Sequence, residues 1–267
     1  MTAVRIIPFL LLLVAFQEKD SVTLFTQDKK DHIEVFAHNA DIYPVTIEVF
    51  FNLENLKANK KLPYITTLNP NQRKHIVDLM KMKDKNWNFE SSIRYYMGSI
   101  YARHDDRHAY TLPFAKGAEY RLTQGFNGRF SHKGDLRHAL DFQMKEGTEV
   151  YAARAGKVVT VTEKYILGGG TKEYIDYANY ITIIHDDGTF GDYSHLRKNG
   201  AVVSVGDNVS AGQLIGYSGS TGFATGPHLH FVVKKTKKGG GYISIPVKFT
   251  TKSGIIFLRE GNTYRGY

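Results

Sequence analysis

Gly226-Pro227-His228-Leu229-His230-Phe231, running on into Val232-Val233, is the stretch that decides how this chain folds. In a β-strand successive side chains alternate faces, so His228 and His230 project from one side while Leu229 and Phe231 point into a core. Two imidazoles aimed together off a rigid strand suit a metal or catalytic site, because strands hold ligand geometry better than loops. The competing reading is a pair of surface or structural histidines. The blocks around them decide between the two.

The strand closes a glycine-punctuated, β-rich region that begins near Tyr110. Gly156-Lys157-Val158-Val159-Thr160-Val161 and Asn179-Tyr180-Ile181-Thr182-Ile183-Ile184 are its other strong strands. Asp187-Gly188 is a hairpin signal, and Gly206, Gly212, Gly216 and Gly219 mark tight turns. Residues 110–250 are therefore expected to form a compact, largely antiparallel β domain with an open groove, and residues 251–267 a C-terminal extension. Gly168-Gly169-Gly170 lacks the residues of a phosphate loop and reads as a flexible loop.

Upstream, Ile33-Glu34-Val35 and Val45-Thr46-Ile47-Glu48-Val49 show period two, with turns at Asn39-Ala40-Asp41 and Asn69-Pro70-Asn71. Pro44 stands at a strand start, where its missing N–H does little harm. Residues 18–109 thus read as a small β-sandwich-like domain with a short helix near 72–83. The whole chain is expected to be mostly β. His104-Asp105-Asp106-Arg107-His108 lacks the glutamate and the helix of an HExxH site and reads as a polar linker.

With 267 residues, 42% of them hydrophobic, the chain has material for real cores. Ile6 to Phe16 is an apolar run behind Arg5, too short to span a bilayer and suited to a signal-peptide core within residues 1–17. Retention as an N-terminal anchor is the lesser alternative. The chain has no cysteine, which excludes a disulfide framework and a lipoprotein anchor. A net charge of +9 is either a solvated basic surface or favours an acidic partner: nucleic acid, anionic lipid or an anionic cell-wall polymer. There is no basic helix or RNA-binding signature, so nucleic acid is not expected as a partner. Nor is stable membrane insertion once the leader is cleaved.

Four blocks line up from residue 131 onward. They are Ser131-His132-Lys133-Gly134 with Ala139-Leu140-Asp141-Phe142; Gly147-Thr148-Glu149-Val150-Tyr151-Ala152-Ala153-Arg154; Asp192-Tyr193-Ser194-His195-Leu196; and Gly216-Tyr217-Ser218-Gly219-Ser220-Thr221-Gly222 leading into the His228/His230 strand. In this order and spacing they resemble the lysostaphin-type, LytM-like zinc endopeptidases that cut peptidoglycan cross-links, over roughly residues 115–250.

The resemblance implies a duplicated hybrid motif fold and one zinc ion (Zn2+) per chain held by His132, Asp141 and His230. It also implies catalytic roles for His195 and His228 beside the metal. Attack by a zinc-bound water on a peptide bond, assisted by those two histidines, would follow, in the periplasm or cell envelope. The alternative is a relative that keeps the fold, loses its ligands and regulates other wall hydrolases. Every required residue type is present here.

The commoner family pattern puts a histidine four residues before the aspartate, where this chain has Arg137. If residues 137–142 are extended, His138 falls on the face opposite Asp141. His132 lies beside a glycine in a loop able to fold back, and the family subset with a Ser-His-x-Gly block shows this longer spacing. His132 is therefore the expected ligand, with His138 at the rim or touching substrate. Asp135 reads as solvent-exposed, and His185 as structural or exposed.

Overall fold

A computed structural model describes residues 21–267, so the signal peptide or anchor expected over residues 1–17 lies outside the described residues. Regular structure is almost entirely β-strand, with short 3-10 turns at Gly134–Leu136 and Lys172–Tyr177. Among the described residues no helix is long and apolar enough to cross a membrane.

Residues 22–97 form two antiparallel sheets around one core. One sheet orders the strands Val22–Asp28, His32–Asn39, Arg73–Lys81 and Leu56–Ala58; the other orders Tyr64–Leu68, Val45–Glu54 and Asn88–Met97. Period two explains the pairing: Ile33, Val35 and Ala37 are buried on one face and meet Ile47, Val49, Ile76, Val77 and Leu79. Asn39 closes its turn by donating Nδ2–H to the carbonyls of Tyr43 and Asn69, each at 2.9 Å.

The helix expected near 72–83 is a strand, Arg73–Lys81, paired antiparallel with His32–Asn39. The register jumps from Val35↔Val77 to Phe36↔His75, leaving Ile76 as an extra residue. That bulge lets Ile76 and Val77 both face the core. Period two is broken there, and the apolar spacing at 76, 77 and 79 then imitates a helical face.

The remaining residues build a second unit on a long mixed-order sheet. Its strands run Asn208–Val209, Gly156–Thr162, Tyr180–Ile184, Phe190–Ser194, His228–Thr236, Leu140–Gln143, Glu119–Gln124 and Thr263–Arg265. A smaller sheet of Glu149–Tyr151, Leu214–Ser218 and Leu196–Ala201 packs with it around Phe142, Val150, Ile181, Tyr193, Ile215, Leu229 and Phe231. Residues beyond 250 share this core through Leu258 and Tyr264, and Thr263–Arg265 adds a strand to Glu119–Gln124.

The two units meet at the end of the His228–Thr236 strand that lies away from His228. Thr236 donates its hydroxyl to the Met97 carbonyl at 2.7 Å. A Cβ on Gly98, at φ +94°, would stand 2.3 Å from Thr236 Oγ1, so only glycine allows this approach. The linker after residue 103 is stitched to the second unit by a hydrogen bond from the Asp105 N–H to Asp187 at 3.1 Å. Arg154 pairs with Asp187 at 2.7 Å and donates to the Tyr110 hydroxyl at 3.2 Å.

Behind that stitching His185 is buried. Its Nδ1 bonds the Ala155 carbonyl at 2.9 Å, and its Nε2 has no partner among the described residues. Burial, with Arg154 adding to it, pushes the His185 pKa down to about 4. Protonation then favours the unfolded chain, whose histidine titrates near its ordinary value. The His185 contribution is fully present above about pH 6.5 and is lost as pH falls toward 4, amounting to about 3 kcal/mol. Denaturant melts between pH 7 and 4 should show this loss, with a shallower slope in His185→Gln; identical slopes would refute it.

Candidate metal centre and groove

The Leu140–Gln143 and His228–Thr236 strands pair antiparallel with Asp141 opposite His230 and Gln143 opposite His228. Directly opposed residues of such a pair project from the same face. That register brings together two side chains 89 residues apart in the chain. Leu229 and Phe231, on the other face, are 0% and 1% exposed and anchor the strand in the core.

His132 reaches the same point from the loop before Gly134. It is wholly buried, and its Nε2 lies 3.1 Å from Asp141 Oδ1, the oxygen that His230 Nδ1 meets at 2.8 Å. One ligand atom each from His132, Asp141 and His230 falls within 4.8 Å of the others. The donor set fits a metal ion: ligand atoms of a tetrahedral zinc with bonds of ~2.0–2.1 Å stand about 3.3 Å apart. The back of the His132 ring is fixed too, since Nδ1–H donates to the Gly125 carbonyl at 2.8 Å and so turns Nε2 toward the cluster.

Burial would raise the Asp141 pKa, but hydrogen bonds from His132 and His230 outweigh it and hold the carboxyl well below its ordinary range. Burial opposes charge on His132; the Asp141 carboxylate reverses the balance and raises its pKa.

His195 links Phe190–Ser194 to Leu196–Ala201 at φ +65°, a conformation that a non-glycine residue adopts rarely and at a cost. The strained turn points its ring at the cluster, with centroids 4.6 Å from His228 and 5.6 Å from His230. Its Nδ1–H donates to the Thr221 carbonyl at 2.7 Å, and His228 Nδ1–H to the Gly226 carbonyl at 2.8 Å. Nε2 lies on the other side of each ring, that of His228 3.8 Å from Asp141 Oδ1. Burial first, then the neighbouring His228 and His230, lowers the His195 pKa to about 3. Burial also lowers that of His228, against the pull of Asp141.

Asp141 and His228 lie in a groove of about 550 Å³, whose walls include Arg129, Phe130, Gln143 and Pro227. No described residue before Thr123 lines it.

His138 stands elsewhere, its Nδ1 on the Ser244 carbonyl at 3.0 Å and its ring against Phe126. Asp135 is exposed and pairs with Lys237.

The residue pattern did not flag two supports of the cluster. Gln124 donates Nε2–H to Asp141 Oδ2 at 2.8 Å and accepts the Phe130 and Ser131 N–H groups on Oε1, which folds the His132 loop back. Gly168-Gly169, expected in a flexible loop, instead pairs parallel with Gly222-Phe223. A Cβ on Gly168 would stand 1.8 Å from the Ser220 carbonyl oxygen. The glycines permit the close approach that braces the Thr221 carbonyl behind His195. A run of three glycines was the only signal available.

Two imidazole nitrogens and a carboxylate oxygen, converging in an open groove beside two further histidines, form a donor set able to hold a metal ion of the kind that hydrolytic enzymes use. Residues 135–241, about two fifths of the chain, match the model of Peptidase family M23, and that stretch is a Peptidase M23 domain. Lysostaphin of Staphylococcus simulans is 38% identical over 122 residues, 45% of this chain and 22% of that protein. The peptidoglycan DD-endopeptidase ShyA of Vibrio cholerae is 37% identical over 118 residues, 43% of this chain and 25% of that protein. The chain thus spans about a quarter of the length of these relatives. The crystallised catalytic domain of S. simulans lysostaphin is 34% identical, with 43% of this chain and 78% of that domain covered and a TM-score of 0.32.

Proposed function

We propose that the chain is a zinc-dependent endopeptidase that hydrolyses peptide cross-links of bacterial peptidoglycan. The observation that carries this reading is the convergence of His132, Asp141 and His230 on one point, each set there by main-chain or cross-strand geometry. A zinc ion held by these three would polarise the scissile carbonyl and bring the pKa of a coordinated water to about 7. His195 and His228 stand beside the same point, each with Nδ1–H tied to a carbonyl. In that tautomer each can accept a proton from the nucleophile or, once protonated, return it to the leaving amine or hydrogen-bond the oxyanion. Burial keeps both rings neutral at pH 7, the state a proton acceptor needs.

The substrate follows from three supports. ShyA is a peptidoglycan DD-endopeptidase by name. The cluster opens onto a groove of about 550 Å³. The net charge of +9 suits an anionic wall polymer. An exported location, in the periplasm or cell envelope, follows from that substrate.

Purified protein should release soluble fragments from isolated sacculi, stop when a chelator is added, and resume on addition of zinc. Mass analysis of the fragments would identify the bond cut. Digestion that continues undiminished in excess chelator would defeat the reading.

A further inference from the structure

The chain's last turn reaches back to the metal centre. Residues 257–266 lie beyond the stretch matched to the peptidase family. Glu260 nevertheless stands on the groove wall with Gln124, Arg129 and Asp141. Its Oε2 accepts the Gly125 N–H at 3.0 Å. The carbonyl of the same glycine accepts His132 Nδ1–H at 2.8 Å, and the far side of that ring faces Asp141. One glycine therefore connects an exposed tail carboxylate to a buried imidazole.

Packing enforces the link. A Cβ on Gly125 would lie 3.2 Å from both the Glu260 amide nitrogen and its Cβ, so the tail's main chain rests directly on this glycine. The tail is held in place by Gly261 N–H to the Leu122 carbonyl at 2.8 Å and Leu122 N–H to the Asn262 carbonyl at 2.9 Å. Thr263–Arg265 then pairs in register with Glu119–Arg121. Leu122 leads within two residues to Gln124, the partner of Asp141 Oδ2.

We propose that Glu260 is a positioning residue for the metal centre. Through the main chain of Gly125 it fixes the His132 ring with Nε2 toward Asp141 and His230. The proposal rests on the zinc reading for its functional meaning, but the geometry it predicts exists without metal. Because Glu260 is exposed, losing its hydrogen bond should cost the fold little while loosening the ring it holds. Outer-shell partners of metal-binding histidines typically govern roughly 10–100-fold in affinity.

The test compares wild type, Glu260→Ala and Glu260→Gln, since the glutamine amide oxygen can accept the same N–H. Proton NMR of the zinc-free proteins reads the hydrogen-bonded His132 ring N–H, and competition against a chelating dye reads the zinc dissociation constant. Glu260→Ala should lose the ring N–H signal and bind zinc about tenfold or more weakly. Its melting temperature should stay within about 2 °C of wild type, and Glu260→Gln should restore both readouts. An unchanged ring signal in Glu260→Ala, or failure of Glu260→Gln to restore it, would overturn the proposal. Wild-type protein that binds no zinc would instead defeat the metal reading, and the ring signal would still judge Glu260.

Discussion

His230→Ala should abolish both bound zinc and sacculus digestion, whereas His138→Ala should keep both. His230 supplies one of only two imidazoles in the cluster, and its Nδ1 sits 2.8 Å from Asp141 Oδ1. Without it a divalent ion has two protein ligands, one short of the three that catalytic zinc sites use. The rate should fall by about 10³-fold or more, since the metal's polarisation and the histidines' proton transfer are lost together. The ring is only partly buried, so its truncation leaves the Leu229 and Phe231 core face intact.

Thermal melts provide an independent readout. A ligand that binds only the folded state stabilises it by about 2.7 kcal/mol at a hundredfold excess over its dissociation constant. Zinc should therefore raise the melting temperature of wild type and His138→Ala but not that of His230→Ala. Zinc-dependent digestion by His230→Ala would refute the ligand assignment. The histidine nearer to Asp141 in sequence should be the dispensable one, because its ring is turned to Ser244 and Phe126.

His195→Ala should separate chemistry from metal binding. The ring lies beside His228 and His230 without belonging to the ligand cluster, so the variant should keep stoichiometric zinc. Its turnover should drop by about 10²–10⁴-fold, the span typical of a lost proton-transfer group. Zinc loss matching the loss of rate would show instead that His195 is a ligand.

The acid limb of the rate follows from the same geometry. The His195 pKa is held near 3, below its ordinary value, so its acceptor form persists as pH falls through 6. The His132 pKa is raised by Asp141, so protons compete with metal there first. Rate and bound zinc should thus decline together below about pH 6. A rate that falls while zinc stays bound would reverse that order.

How much of this was legible in the residues differs by element. The His228–Thr236 strand could be read because alternation is a local property: an apolar residue between two histidines puts both on one face whatever surrounds them. The strand at Arg73–Lys81 could not, because the bulge at Ile76 is set by the partner strand and leaves an apolar spacing that two structures share. Gly168-Gly169 carried no polar side chain to read, and its meaning lies in the Ser220 carbonyl pressed against it. Gln124 and Glu260 are ordinary polar residues in sequence; only the strands that deliver them make them supports for Asp141 and Gly125.

Sequence alone determined the β character of the chain, the sidedness of the histidine pair and the set of residue types able to bind a metal. Tertiary structure decided which of them meet: the register that sets Asp141 across from His230, the folded-back loop that chooses His132 over His138, and the terminal strand that braces it. The division has a physical cause. Side-chain direction along a strand is fixed by local backbone geometry, whereas strand register and loop path depend on packing between segments far apart in the chain.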